Sequence, residues 1–177
     1  MGTAQDKRAD DVRIRLAERR DAAGIREIYN HYVNGSTAIF DLVPRTLDEQ
    51  VQWIDEHSGA HPAVVAVADG EDGAEHVVGF GSLSPFRARP AYATTVENSV
   101  YLLADYQGRG IGRMVLEELL RLAESHGFHS VIARIAGSND ASIALHTACG
   151  FELVGTEREV GRKFGRWLDV VELQRLI

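Results

Sequence analysis

Cysteine is nearly absent: the 177 residues contain one, Cys149. A lone thiol closes no intramolecular disulfide and builds no cysteine metal site, so a reducing compartment, the cytoplasm, is the natural reading, with no metal. Long apolar runs are missing too. No stretch approaches the roughly 20 residues needed to span a bilayer, so no membrane segment is expected. The polar opening MGTAQDKRADD, residues 1–11, has no apolar centre of the signal-peptide kind and reads as a flexible leader. Positive charge is in deficit, with 19 Lys and Arg against 26 Asp and Glu. Phosphate backbones call for a concentrated basic surface, so nucleic acid is excluded as the main partner. Arginines gather only locally, in PFRARP and GRKFGR. Internal repeats, low-complexity tracts and linkers are also lacking, which leaves one soluble domain over 12–177.

What the chain does contain is an alternation of strand and helix signals. VRIRLA, from Val12, alternates like a half-buried strand, and Asp21 offers an N-cap to a helix carrying Ile25, Ile28, Tyr29 and Tyr32. TLDEQVQWI opens with a capping box, Thr46 followed by Glu49, which predicts a second helix through Glu56. AVVAVA and HVVGFGSLSPF, separated by DGEDG, form a hairpin. ATTVENSVYLL reads as a longer strand, IGRMVLEELLRLAESHG as an amphipathic helix stopped by Gly127, and SVIARIA as a buried strand. Asn139 starts a last helix that Gly150 stops. Two final strands, about FELVGTEREV and WLDVVELQRL, complete an α/β domain on a mixed sheet.

Between the ATTVENSVYLL strand and its following helix lies QGRGIGR, residues 107–113. A strand, a tight glycine turn and a helix start gather backbone N–H groups at a positive helix end, where a multi-oxygen anion can sit. Gly108, Gly110 and Gly112 let the backbone approach a phosphate without Cβ interference, and Arg109 and Arg113 add charge. A plain turn that starts a helix is the other reading. A P-loop is excluded, because Arg113 and Met114 stand where Lys and Ser or Thr are required. A dinucleotide fingerprint fits poorly, because the loop lies past mid-chain.

The longer constellation is more specific. Gln107 to Gly112 in the pattern Q-x-x-G-x-G, followed by Asn139, ALH and CGF, resembles the GNAT superfamily of acetyl-CoA-dependent N-acetyltransferases. RPAYATTVENSVY and REVGRKFGRWLDVVELQ, with IYNHYV and FDLVPRTLDE, narrow the likeness to the phosphinothricin and methionine sulfoximine N-acetyltransferases from about Ile14 onward. The resemblance implies a central mixed, largely antiparallel sheet of about six to seven strands flanked by about four helices, with a splayed strand pair. It implies acetyl-CoA as co-substrate, a small amine as acceptor and a homodimer. In that frame the backbone of Gln107, Gly108, Arg109, Gly110, Ile111, Gly112 and Arg113 holds the pyrophosphate, Val100, Tyr101 and Leu102 meet the pantetheine arm, and Asn139 reaches the same ligand or simply caps its helix.

Direct acetyl transfer needs a neutral amine, a polarised thioester carbonyl and a proton for the departing thiolate. Glu97, three residues before Val100, is the candidate base, with a solvent-facing strand glutamate as the alternative. His146 stands where many GNAT members carry tyrosine and is the candidate acid; a buried histidine with a structural partner is the alternative. Cys149 reads as packing rather than as a nucleophile. Arg87, Arg89, Tyr92 and Lys163 are candidates for the carboxylate and oxygen-rich head of the substrate, Arg166 a further one, and Phe40, Tyr32 and Trp167 for its walls. A non-catalytic acyl-CoA-binding domain and an acetyltransferase for polyamines or protein N-termini remain open.

Overall fold

The computed structural model describes residues 11–70 and 73–177. Residues 1–10 of the expected leader and residues 71 and 72 of the DGEDG break lie outside the described residues. Seven strands form one sheet: β1 (Val12–Leu16), β2 (Ala63–Asp69), β3 (Glu75–Pro85), β4 (Thr95–Leu102), β5 (Ser130–Ala136), β6 (Glu152–Lys163) and β7 (Arg166–Leu176). Their spatial order is β1-β2-β3-β4-β5-β7-β6. Among the described residues only β4 and β5 run parallel and the other neighbouring pairs are antiparallel, so the sheet is mixed and largely antiparallel as expected.

Four α-helices cover the two faces: α1 (Ala22–Gly35), α2 (Leu47–Glu56), α3 (Ile111–Ser125) and α4 (Asp140–Ala148). The period of two along the strands sorts the core into two layers. Ile25, Ile28 and Val33 of α1 and Ile54 of α2 pack on Val65, Val67 and Phe80. Val115, Leu116 and Leu119 of α3 pack on Val64, Ala66, Leu83, Val96 and Val131 on the opposite face. AVVAVA is apolar throughout because β2 is buried on both sides.

The local signals mostly act as read. Thr46 Oγ1 accepts from the Glu49 N–H at 3.3 Å and Glu49 Oε2 accepts from the Thr46 N–H at 2.7 Å, which is the capping box. Gly127, at φ 78, terminates α3 in the left-handed region. Asp21 does precede α1, but its carboxylate caps nothing there. It accepts instead from both terminal nitrogens of Arg15 at 2.8 Å and from the Glu18 N–H at 2.8 Å, because a guanidinium from β1 outcompetes the helix end. The last two strands are longer than their apolar pattern suggests. Phe164 and Gly165 both take positive φ, a two-residue turn whose twist suits a hairpin, and the pairing runs to Lys163 and Arg166.

Gly81 on β3 lets α3 settle on the sheet. A Cβ there would lie 2.7 Å from Val115 Cγ1 and 2.9 Å from Leu119 Cδ1. Gly81→Ala is therefore expected to lift α3 and cost about 1–3 kcal/mol of stability, read from the urea unfolding midpoint; an unchanged midpoint would mean that α3 has slack to give.

Candidate active site

β4 keeps its partner β3 as far as Leu102, and β5 keeps β7 as far as Ala136. The ladder between β4 and β5 stops earlier, at Asn98–Ala133. Beyond that rung the two strands part, each with one edge unpaired. A cavity of about 360 Å³ opens between them, and its walls come from both strands, the glycine loop and α4. The open main-chain edge of β4 from Ser99 to Leu102 offers donors and acceptors that an amide-bearing ligand can use. Leu102 is partly engaged already, since its carbonyl accepts from Tyr32 Oη at 2.7 Å and Tyr32 in turn accepts from Gln107 Nε2 at 2.9 Å.

At one end of the cavity stands the start of α3. No side chain caps it, and the Met114 N–H makes the first helical bond, to the Gly110 carbonyl, so the N–H groups before Met114 have no intrahelical partner. Gly108 and Gly110 take φ of 71° and 83°, which a side chain tolerates poorly, and a Cβ on either would meet no protein atom within 4 Å. The space they leave open belongs to the cavity they line. Unpaired N–H groups, a helix dipole and backbone bared by glycine make an anion cradle.

The sequence candidates divide by position. Val100, Tyr101, Leu102, Gln107, Gly108, Gly110, Gly112, Arg113, Asn139 and His146 all line the cavity. Ile111 is fully buried in the core under α3, so it can serve the cradle only through its main chain, and the Arg109 guanidinium lies 5.9 Å from the Tyr106 ring. Asn139 Oδ1 accepts from the Ser142 N–H at 3.1 Å, making it the N-cap of α4. Arg113 forms an exposed ion pair with Glu117 at 2.7 Å.

Glu97 does not line the cavity, and the strand period explains where it is. Val96, Val100 and Leu102 join the α3 side of the core while Tyr101 joins the α1 side, so Glu97 shares the α1 face with Ser99 and Tyr101. Asn98 points the other way, to His146 of α4. The two candidate catalytic groups therefore flank the fork from opposite faces of the sheet. Burial raises the Glu97 carboxyl above the usual carboxylate range; Arg134 opposes the shift, while Glu172 and Glu157 add to it. Burial likewise raises the Tyr101 phenol, to about 12, so it stays protonated at neutral pH.

Arg87, Arg89 and Tyr92 sit on the loop between β3 and β4, next to the Ser84–Glu97 and Pro85–Val96 pairs. Arg87 stacks 4.7 Å from the Phe86 ring and 5.5 Å from the Tyr92 ring. Lys163 is placed differently from its expected role: it is buried, and its ammonium donates to the Ile39 carbonyl at 2.6 Å, tying the end of β6 to the loop after α1. Of the three expected walls, Tyr32 lines the cavity; Phe40 packs on Gly161, and Trp167 is exposed. Asn98, Arg134, Ser142 and Leu145 also line the cavity and were not singled out from sequence. The helical spacing of 142, 145 and 146 was the available signal for two of them.

Comparison with known proteins agrees with this geometry. The chain matches the acetyltransferase (GNAT) domain family over residues 14–171. It is 39% identical over 165 residues to a phosphinothricin N-acetyltransferase of Streptomyces coelicolor, covering 93% of this chain and 96% of that one. It is 39% identical over 162 residues to an L-methionine sulfoximine/L-methionine sulfone acetyltransferase of Pseudomonas paraeruginosa, covering 91% and 92%. A phosphinothricin acetyltransferase of Sinorhizobium meliloti, solved in complex with acetyl-CoA, superposes with a TM-score of 0.87 at 38% identity over 94% of this chain and 89% of that one. An acetyltransferase of Salmonella typhimurium solved with acetyl-CoA gives 0.86 at 36% identity, over 93% of each chain. A likeness that runs from β1 to β7, and not through the glycine loop alone, makes the chain a member of the GNAT family: it is an N-acetyltransferase with acetyl-CoA as co-substrate.

Proposed function

We propose that the chain transfers acetyl from acetyl-CoA directly to the amino group of a small amino acid analogue such as phosphinothricin or methionine sulfoximine. The observation that carries this reading is the fork, with an anion cradle at its mouth and one proton-transfer group on each face of its closed end. The cradle fits the pyrophosphate of acetyl-CoA, whose charge matches the bare N–H groups at the α3 start. The unpaired edge of β4 fits the two amides of its arm. The names of the relatives from Streptomyces coelicolor and Pseudomonas paraeruginosa support the acceptor class.

Glu97 serves as the base. An alkyl amine with a pKa of roughly 10 arrives as ammonium at neutral pH, and only the free amine attacks. A carboxylate held above its usual range, on the face that α1 and α2 leave to the acceptor, is suited to take that proton. His146, reaching the fork from the other face, serves as the acid for the thiolate. Arg87, Arg89 and Tyr92, at the Glu97 end of β4, receive the carboxylate or oxygen-rich head of the acceptor. Lys163, with its ammonium given to Ile39, holds the loop that walls this face. The second reading is an acetyltransferase for protein N-termini. It is favoured by a Brucella melitensis structure named ribosomal-protein-alanine N-acetyltransferase, 38% identical, with a TM-score of 0.87 over 93% of this chain and 99% of that one.

The same proposal includes the cytoplasm, in keeping with the one buried thiol, and a homodimer. Leu153, Val154, Val160, Phe164 and Trp167 are exposed along β6, the β6–β7 turn and the start of β7, and a second copy of the chain would cover them. Light scattering at micromolar concentration is expected to give twice the 19.5 kDa chain mass; a monomer would remove this surface from consideration.

Thiol release over a panel of amino acid analogues, polyamines and peptides is the first test, and faster turnover of a peptide N-terminus would favour the second reading. Gly110→Ala should place its methyl in the cradle and weaken acetyl-CoA binding at least about tenfold, against about 1–2 kcal/mol of stability lost to the left-handed backbone. Calorimetry on the folded variant reads the affinity, and an unaltered value would take the loop out of the site. Glu97→Gln should lower turnover about 10²–10⁴-fold at pH 7 with acetyl-CoA affinity unchanged. That defect should shrink toward pH 10 as solvent supplies free amine. In the native enzyme the rate should fall on the acid side at a pH above the usual carboxylate range, because the raised Glu97 pKa is the one being crossed. His146→Phe should slow turnover with no rescue at high pH. Near-normal turnover of Glu97→Gln at pH 7 would pass the base role to water.

A further inference from the structure

We propose that Asn98 is a positioning residue that aims the His146 imidazole at the fork and holds a proton on its Nε2. The inference rests on the reading of His146 as the acid and adds the group that keeps that acid loaded.

Asn98 occupies the last paired rung between β4 and β5, and its side chain is buried, with 5% of the residue exposed. Its Nδ2 donates to the Ile132 carbonyl of β5 at 3.1 Å, and its Oδ1 lies 2.9 Å from His146 Nε2 on α4. One amide thus joins three elements at the point where the strands separate. Its orientation follows from its partners. Turned over, Oδ1 would oppose the Ile132 carbonyl, and two acceptors in contact in a buried site repel. With Nδ2 committed to Ile132, an oxygen faces the imidazole, an acceptor that favours a proton on Nε2.

The other ring nitrogen meets the same demand. Nδ1 lies 2.8 Å from the Ser142 carbonyl, an obligate acceptor, and 3.5 Å from Ser142 Oγ. A neutral imidazole has one N–H and satisfies one of these two oxygens; the protonated ring satisfies both. Burial acts in the opposite sense and pulls the His146 pKa down, with the Ser142 carbonyl opposing it. The Asn98 oxygen works on the side of Ser142. The remaining surroundings of the ring are mostly apolar. Phe151 meets it edge to face at 5.0 Å, and Ala133 of β5 lines the same cavity. Cys149, the residue after α4, is a further titratable group here; burial raises its thiol, and Glu117, Arg113 and Arg175 act on it. Glu97 lies on the other face of the sheet.

The test uses the full chain labelled with ring-¹⁵N histidine, with the His146 signals assigned by their loss in His146→Phe. The native spectrum should show Nε2 protonated through neutral pH; an Nε2 without a proton at pH 7 overturns the proposal before any variant is made. Asn98→Leu, close in volume but without the amide, should lower the His146 pKa by about one pH unit and kcat at pH 7 about tenfold. The KM for acetyl-CoA should stay within about twofold, since the cradle is untouched. Both Asn98→Leu and Asn98→Asp deprive the Ile132 carbonyl of its donor, so the native spectrum carries the first test by itself, and Asn98→Asp is measured beside Asn98→Leu with the fold of each checked by circular dichroism. The carboxylate of Asn98→Asp still accepts from Nε2, so the His146 pKa should rise above native. A folded Asn98→Leu with native pKa and native kcat, in an enzyme slowed by His146→Phe, overturns the role of Asn98 alone. Native kcat in His146→Phe overturns the acid reading itself.

Discussion

The early end of the β4–β5 ladder is the constraint on which the site depends. A parallel pair can part at one end only if each strand is held elsewhere, because unpaired buried backbone is costly. β4 is held by β3 to Leu102 and β5 by β7 to Ala136, so each strand loses one edge and keeps the other. The end of β4 is further drawn to α1 through the Tyr32 hydroxyl on the Leu102 carbonyl, with Gln107 bound behind it. The gap is thus stable structure, and the groups it exposes are those that a ligand with alternating donors and acceptors can satisfy.

Two faces of one sheet become two compartments through that gap. Without it, Glu97 and His146 would be separated by a continuous layer of backbone, because residues 97 and 98 of a strand point apart. With it, the Glu97 carboxyl on the α1 side and the His146 imidazole on the α4 side flank one opening from opposite directions. The arrangement suits an acyl transfer in which one proton leaves the attacking group and another goes to the departing one.

Buried polar side chains mark the joints of this design. Lys163 binds the end of β6 to the loop after α1, Ser130 receives Gln174 across β5 and β7, Asp21 joins β1 to the start of α1 through Arg15, and Asn98 joins β4, β5 and α4. Lys163, Ser130 and Asn98 are satisfied by partners 124, 44 and 48 residues away, so chain order alone does not reveal those interactions. The chain as a whole is acidic, yet the cradle at α3 is locally positive, since its field comes from aligned peptide groups at the helix end and acts over one turn.

By itself the sequence determined the elements and the cradle. Apolar period, the Thr46–Glu49 box, Asn139 before α4 and Gly127 after α3 are local signals, and local signals act through neighbours a few residues away. The glycine loop was legible for the same reason: its positive φ angles and uncapped helix start are properties of its own backbone. The tertiary structure alone decided where the β4–β5 ladder stops and which strand faces look on which helices. It also gave Asp21 to Arg15 instead of to α1, Lys163 to Ile39 instead of to the cavity, and Asn98 to His146. Those outcomes are competitions among partners 6, 124 and 48 residues apart. The two long-range pairs meet only once the sheet has assembled, and in all three the winner is the group that packing brings within hydrogen-bonding distance.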